Sequence, residues 1–370
     1  MTAREACIAF NLTENIGSVG VGKLAAVCGG IVGAWENYPH KTSRTGGEVD
    51  WEGEIRQAAR RGVQILTPVD AAYPEILKKT PGHPLALYVS GNADVLSRPC
   101  LALVGTRRAT PYGRDQAFKM AKGLAENGWT VVSGLAEGID GEAHRGALAG
   151  GGPTIGILGS ALDRFYPEAN RELAREMVHA GGAVISEFPF GREPDRQTFP
   201  QRNHVVAGLA RGVVAIEAPQ KSGTLLTTTL AADLGRIVMA LPGRVDSRSS
   251  AGCLGLLRQG ARLVRHAEDV LDEMSDLFAF TEKVVAKEQA ASNEEPETPP
   301  EPPPKPLEAH YSLEEALIMR HVEMDGISID ELVRRTHLPA AKVNTLCMTL
   351  RMKGRVRFFP GNRVALPRAD

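Results

Sequence analysis

Two stretches of this 370-residue chain set small residues beside cations in the way a phosphate requires: GTRRATPYG at 105–113 and PQKSGTLLT at 219–227. Arg107, Arg108 and Lys221 bring positive charge, while Gly105, Thr106, Ser222 and Gly223 bring hydroxyls and backbone that a ligand can approach closely. SGLAEGID at 133–140, with Ser133 and Gly134, and GSALDRFYP at 159–167 have the same character. A fifth segment, EFPFGREPDRQTFPQRNHVVAGLARG at 187–212, interleaves Arg192, Arg196, Arg202 and His204 with Phe188, Phe190 and Phe199, and Asn203 adds an amide. Cations that follow a phosphate backbone, with rings on which bases stack, are what sequence-tolerant binding of a single strand requires. Any one of these loops reads equally well as a tight turn; together they favour an anionic ligand.

The elements that must position these loops are legible as apolar runs: LALVGT (101–106), WTVVSG (129–134), TIGILG (154–159), AVISEF (183–188), VVAIEA (213–218) and IVMALPG (237–243). Helix-like stretches separate them. Six such strands with helical spacers predict an α/β protein with a doubly wound parallel sheet, because parallel neighbours need crossover helices that cover both faces. In such sheets ligands bind beyond the carboxyl ends of the strands, which is where the small and basic residues fall. None of the loops is a G-x-G-x-x-G with an acidic residue about twenty positions on, so no dinucleotide cofactor is expected. GSVGVGKL at 17–24 nearly spells a nucleotide-binding P-loop. It puts Leu24 where the magnesium-binding hydroxyl belongs, and no buried strand precedes it, so it reads as a chance match on a Gly-rich turn.

The formal net charge is −1, so binding to nucleic acid must come from local basic patches. Cys7, Cys28, Cys100, Cys253 and Cys347 lie far apart, which argues against disulfides and a zinc site and suits a reducing cytoplasm. No apolar run is long enough for a membrane helix and no secretion signal opens the chain, so a cytoplasmic protein without metal or membrane contact is expected. Residues 285–308, rich in Pro and Glu, read as an extended linker. This gives four parts: a mostly helical 1–80, an α/β body at 81–284, the linker, and a tail at 309–370. The tail reads as three helices and a hairpin, a winged helix, with Ser328 and Glu331 spaced as a capping box. Residues 310–370 carry ten Lys or Arg against seven Asp or Glu, with Lys342, Arg351, Lys353, Arg355 and Arg357 grouped on the third helix and wing. Contact with duplex DNA and docking to a protein are both open for that surface. Leu346, Met348 and Leu350 read as core.

GTRRATPYG, SGLAEGID, GSALDRFYP, SEFPFG, FPQRNHVVAGLA, EAPQKSGTLLT and LPGRVDSRSSAGC, in that order and spacing over about residues 85–275, resemble the bacterial DNA-processing protein A (DprA, or Smf) family. The resemblance implies a Rossmann-like body that binds single-stranded DNA, forms a homodimer and helps load the RecA recombinase onto strands taken up in natural transformation, without catalysis. It implies phosphate contacts at Arg107 and Lys221 and a base pocket shaped by Phe199, Arg202 and Asn203; Arg196 is added from charge and proximity. It also implies a small N-terminal domain of the sterile-alpha-motif or helix-hairpin-helix type, in which IGSVGVGKLAAVCGG would be a Gly-rich hairpin leading into a helix. The chain departs from the family's usual residues at Thr106, Glu137, His204 and Leu254, which bears on how strongly the rim attracts DNA. Two other functions fit parts of the sequence. PQKSGTLLT resembles the PGGxGTxxE loop of lysine-decarboxylase-like nucleotide hydrolases, but Leu226 and Thr227 stand where the acid would be. A nucleotide-sensing transcription regulator with a winged helix would leave the aromatic segment around Phe199 without a use.

Overall fold

The computed structural model describes residues 1–39, 41–44, 46–275, 317–322, 327–336, 338, 342–343, 346–347, 350, 355–359 and 363–366. The linker at 285–308, Arg351, Lys353 and Met348 lie outside the described residues. The chain divides into two compact units, Met1–Asn293 and Glu294–Asp370.

The first unit opens with four helices: α1 (Ala3–Leu12), α2 (Ser18–Val27), α3 (Ile31–Asn37) and α4 (Trp51–Arg60). Helix α1 starts on a complete capping box, in which the Thr2 hydroxyl accepts from the Glu5 amide and the Glu5 carboxylate accepts from the Thr2 amide. One face of α1 puts Phe10 against Trp35 and Tyr38, at ring separations of 5.1 and 5.7 Å. Another places Ile8 and Leu12 with Ala58, Tyr88 and Phe190, so the helices share apolar core with the body. The P-loop look-alike is helical: Ser18–Val27 forms α2, with Gly20 and Gly22 inside the helix and helix α1 before it. A hairpin at those glycines, expected from the family resemblance, is therefore replaced by a turn at residues 13–17, where Asn15 takes φ 59°.

A nine-stranded sheet follows: β1 (Gln64–Leu66), β2 (Leu87–Gly91), β3 (Cys100–Gly105), β4 (Thr130–Ser133), β5 (Thr154–Ile157), β6 (Ala183–Ser186), β7 (Gly212–Glu217), β8 (Ile237–Ala240) and β9 (Arg262–Leu263). Its order is β1-β2-β6-β5-β4-β3-β7-β8-β9. The six apolar runs form the parallel part from β6 to β8, and β9 extends it in parallel. The pair β1 and β2 adds an antiparallel edge. Strand β1 precedes residue 81, where the sequence reading opens the α/β body, so the sheet begins earlier than that boundary. Strand order reverses at β3, whose neighbours β4 and β7 are reached by crossovers in opposite directions, and this is the crevice where doubly wound sheets bind ligands.

Alternation along each inner strand sends side chains to two layers. Leu101, Leu103, Val131 and Val214 meet helices α6 (Pro111–Glu126) and α7 (Ile139–Ala149), while Ala102, Val104, Val132 and Val213 meet α5 (Glu75–Lys78), α9 (Thr198–Leu209) and α10 (Gly223–Asp233). Helix α8 (Arg171–His179) packs Leu173 and Met177 against Leu135 and Val184, and α11 (Ala251–Arg258) sets Cys253 beside Ala215 and Ala240.

Inside the α7 layer His144 is fully buried, its Nδ1 2.7 Å from the Thr154 hydroxyl, which itself donates to the Val131 carbonyl. That hydroxyl's proton is committed, so Nδ1–H is the donor and Nε2 carries a lone pair without a partner. Burial pushes the imidazole pKa from 6.5 down to about 3, with Arg145 and Arg202 adding to the effect. Below its ordinary pKa the unfolded chain takes up a proton that the folded chain refuses. The contribution is full above that value and is lost as pH falls toward 3, at about 1.4 kcal/mol per pH unit. Glu187, raised to about 7, has the opposite slope but is common to both proteins of a comparison. The urea midpoint of wild type should therefore fall more than that of His144→Leu between about pH 7 and pH 5.5. Parallel falls would remove His144 as the cause.

In the second unit β10 (Ile327–Ser328), β11 (Arg357–Phe359) and β12 (Arg363–Ala365) form an antiparallel sheet in the order β10-β12-β11, beside helix α12 (Ile329–Thr336). The Ser328 hydroxyl accepts from the Glu331 amide at 3.2 Å, half of the expected capping box; the Glu331 carboxylate instead takes Arg334 and Arg335. Val343, Cys347 and Leu350 recur at helical spacing and are buried with Ile318, Leu332 and Val364, and Leu346 packs against them.

Candidate nucleic-acid interface

The loops after β3, β4 and β5 meet the start of α9 at the carboxyl rim of the sheet. Arg107, exposed, lays its guanidinium over the Phe199 ring with Cζ 4.6 Å from the centroid. Tyr166, nearly half exposed, tilts toward the same ring at 6.1 Å. These three side chains line one cavity together with Gly134, Glu137, Gly159 and Arg202. Gly159 is small because of a close approach: a Cβ there would stand 2.8 Å from a Phe199 ring carbon. An aromatic face, a planar cation and a phenol around one opening can stack a flat base and donate hydrogen bonds to phosphate. Tyr166 was not among the residues singled out from sequence; its signal was the aromatic end of GSALDRFYP.

The rim is selective about where its backbone amides go. The Glu217 carboxylate, buried at the end of β7, accepts from the Thr110 amide and hydroxyl at 2.8 Å each. The Thr110 hydroxyl in turn caps Gly113 of α6. The start of α6, which the sequence offers to phosphate behind Arg107 and Arg108, is thus filled by an internal anion. The Asp140 carboxylate does the same in the β4 loop, accepting from Gly134 and Ala136 at 3.1 and 3.4 Å. Helix α10 differs. No side chain caps it, the Ser222 hydroxyl is buried without a partner, and Lys221 and Gly223 are exposed. Strands β3 and β7 pair in parallel, so the Arg107 and Lys221 loops leave the sheet side by side.

Several expected contact residues are internal. Ser133 is fully buried and donates its hydroxyl to the Leu103 carbonyl at 2.6 Å, so it faces the sheet rather than a ligand. Arg202 is only 5% exposed; its guanidinium donates to the Gly134 and Ile157 carbonyls and to the Asn203 amide oxygen. Burial lowers its pKa to about 10 while Asp140 acts to raise it. Arg202 is thus the floor of the cavity, and Asn203 steadies it. Gly105 and Thr106 hold the loop: the Thr106 amide donates to the Glu217 carbonyl at 2.7 Å and its hydroxyl accepts from the Arg108 amide at 3.2 Å. Arg108 is exposed. Arg196 is exposed too and does not line the cavity. In the tail, Lys342, Arg355 and Arg357 are exposed.

A parallel α/β sheet whose switch-point rim carries cations and rings instead of a cofactor loop defines a Rossmann-like, anion-directed binding protein. The chain belongs to the family of DNA recombination-mediator protein A, whose family model matches residues 64–275; a DprA winged helix domain matches 296–362. It is 34% identical over 325 residues to Protein Smf of Synechocystis, covering 84% of this chain and 81% of that one. The structure is similar to DNA processing protein A of Streptococcus pneumoniae, with TM-score 0.58, 36% identity and coverage of 68% of this chain and 86% of that one. It is also similar to DNA processing protein A from Helicobacter pylori, described for a unique single-stranded DNA binding mode, with TM-score 0.51, 30% identity and coverage of 58% and 96%.

Proposed function

We propose that this protein is a non-enzymatic recombination mediator that binds single-stranded DNA at the Arg107–Phe199–Lys221 rim. The observation that carries this reading is the guanidinium of Arg107 stacked on Phe199, in a loop that leaves the sheet from the strand paired with the one leading to the uncapped α10. A base stacks at the ring and guanidinium; its phosphates lie toward Arg107, Arg108, Lys221 and the Ser222–Gly223 amides. Family membership supports a homodimer that hands incoming strands to RecA in the cytoplasm during natural transformation. On this reading residues from the first sheet strand to about 284 form the DNA-binding body and 309–370 a winged helix joined by the linker. The hydrolase alternative is weakened because Leu226 and Thr227 stand where its acid would be and Glu217, the carboxylate that ends β7, is committed to capping α6.

Binding of an unstructured oligonucleotide and of the matched duplex over a salt series tests the proposal. The single strand should be preferred, with affinity falling as salt rises. Lys221→Ala should weaken it and reduce the slope of log K against log salt by about 0.7, the share of one phosphate contact on a single strand. Equal duplex binding that ignores the substitution would move the DNA site to the tail.

A further inference from the structure

Helix α9 has a second working face. At 3.6 residues per turn Phe199 and Arg202 share one side of it, and Gln201 and His204 fall on the opposite side. That opposite side borders a cleft of about 370 Å³, enclosed also by the start of α2 and by residues 81–85 and 187–189. The volume is in the range of small-molecule sites. Its lining mixes apolar side chains, Phe10, Ile16, Leu85 and Phe188, with polar groups in nearly equal measure.

Gly17 at the cap position of α2 supplies no side chain, so the first amides of this ten-residue helix have no side-chain acceptor. Arg44 lines the cleft and makes no salt bridge among the described residues. Oε1 of Glu187 is enclosed by protein without a hydrogen-bond partner, while the His204 ring is held by the Pro81 backbone. Gly82 lies between α2 and α9: a Cβ there would stand 3.6 Å from Val19 Cγ2, 3.8 Å from His204 Nε2 and 4.0 Å from the Ser18 hydroxyl. Gly82 has φ +76°, so its lack of a side chain serves the turn. Arg44 and Glu187 influence each other electrostatically without pairing, and burial holds the Glu187 carboxyl up near 7. A cation and an anion that face one cavity without meeting describe a ligand with an anionic end and a hydrogen-donating end. A simple anion would leave Glu187 without a donor and place two negative groups together; an apolar ligand would strand both charges.

We propose that this cleft binds a nucleotide, with its phosphate on the start of α2 and Arg44 and an exocyclic amino group of its base on Glu187. The ring then lies against the apolar side chains. The nucleotide comes from one of two sources, a free nucleoside monophosphate or the 5′-terminal nucleotide of a DNA strand. The site is separate from the rim across α9, since Gln201 and His204 line it while Phe199 and Arg202 line the rim cavity.

Calorimetric titration in mildly alkaline buffer, where Glu187 is ionised, tests the proposal with dGMP, dTMP and inorganic phosphate as probes. Wild type and Arg107→Ala should bind dGMP alike. Arg44→Gln and Glu187→Gln should each bind it at least about tenfold more weakly, and dTMP, which lacks the amino group, should bind wild type about tenfold more weakly than dGMP does. Independently of any variant, dGMP should raise the melting temperature of wild type, as a ligand of the folded state must. If a 5′-phosphate strengthens binding of a dG-initiated oligonucleotide and Arg44→Gln abolishes that gain, the strand end is the occupant; dGMP binding without such a gain assigns the free nucleotide. The proposal is overturned if neither dGMP nor a 5′-phosphate has an effect on wild type. It is overturned equally if dGMP binding survives both cleft substitutions, or if Arg107→Ala alone abolishes it and so places the nucleotide at the rim.

Discussion

Arg202→Met should destabilise the folded protein by about 3–5 kcal/mol, the range found when one partner of a buried charge pair is removed. The side chain is 5% exposed and its guanidinium satisfies the carbonyls of Gly134 and Ile157, at the ends of neighbouring strands β4 and β5. Methionine fills the volume and leaves both carbonyls without a donor. It also leaves Asp140, itself buried, without the cation that opposes the upward push of burial on its pKa. The Gly134 peptide is held from both sides, its carbonyl by Arg202 and its amide by Asp140, so the β4 loop should loosen with the pair. The urea midpoint should drop at unchanged m value. Asp140→Asn in the Arg202→Met background should recover part of the loss, because the two substitutions act on one electrostatic unit. A cost below about 1 kcal/mol would mean that water replaces the guanidinium and that Arg202 is not the floor of the cavity.

That buried role was not readable from the chain. Arg202 stands in the same segment as the solvent-facing Arg196, and nothing local distinguishes it; its burial comes from where α9 crosses the ends of β4 and β5. Glu217 and Asp140 are similar. Each falls inside a motif quoted for its glycines and cations, and each turns out to neutralise a helix start or loop that composition alone would offer to phosphate. The carboxylate of Glu217 reaches a residue 107 positions away, a separation over which no sequence period operates. The six inner strands, by contrast, were plain, because a parallel strand covered on both faces reads as a nearly continuous apolar run. Strands β1 and β9 escaped notice for the converse reason: three and two residues long at the sheet's edges, they leave too short a pattern. The exposed rim residues Arg107 and Lys221 were legible because a glycine-rich strand-to-helix turn keeps its cations in solvent whatever the rest of the chain does.

Phe199→Ala should weaken single-strand binding by about 1–3 kcal/mol, the measured worth of one base stacked on an aromatic ring. Two losses combine in this figure. The ring is a stacking surface, and it is also the seat of the Arg107 guanidinium, which lies 4.6 Å above it. With the seat gone, Arg107 keeps its charge and loses its fixed plane. Phe199→Ala should therefore lower affinity while leaving the salt slope nearly unchanged, whereas Arg107→Ala should reduce the slope by about 0.7 as well. The double variant should lose less than the sum of the two singles, since residues in contact share one interaction. Duplex binding should be insensitive to Phe199→Ala, because paired bases present no free face to the ring. If Phe199→Ala binds the single strand within about twofold of wild type, stacking at this ring contributes almost nothing. The strand must then be held by the cations alone, as a charged groove rather than a base pocket.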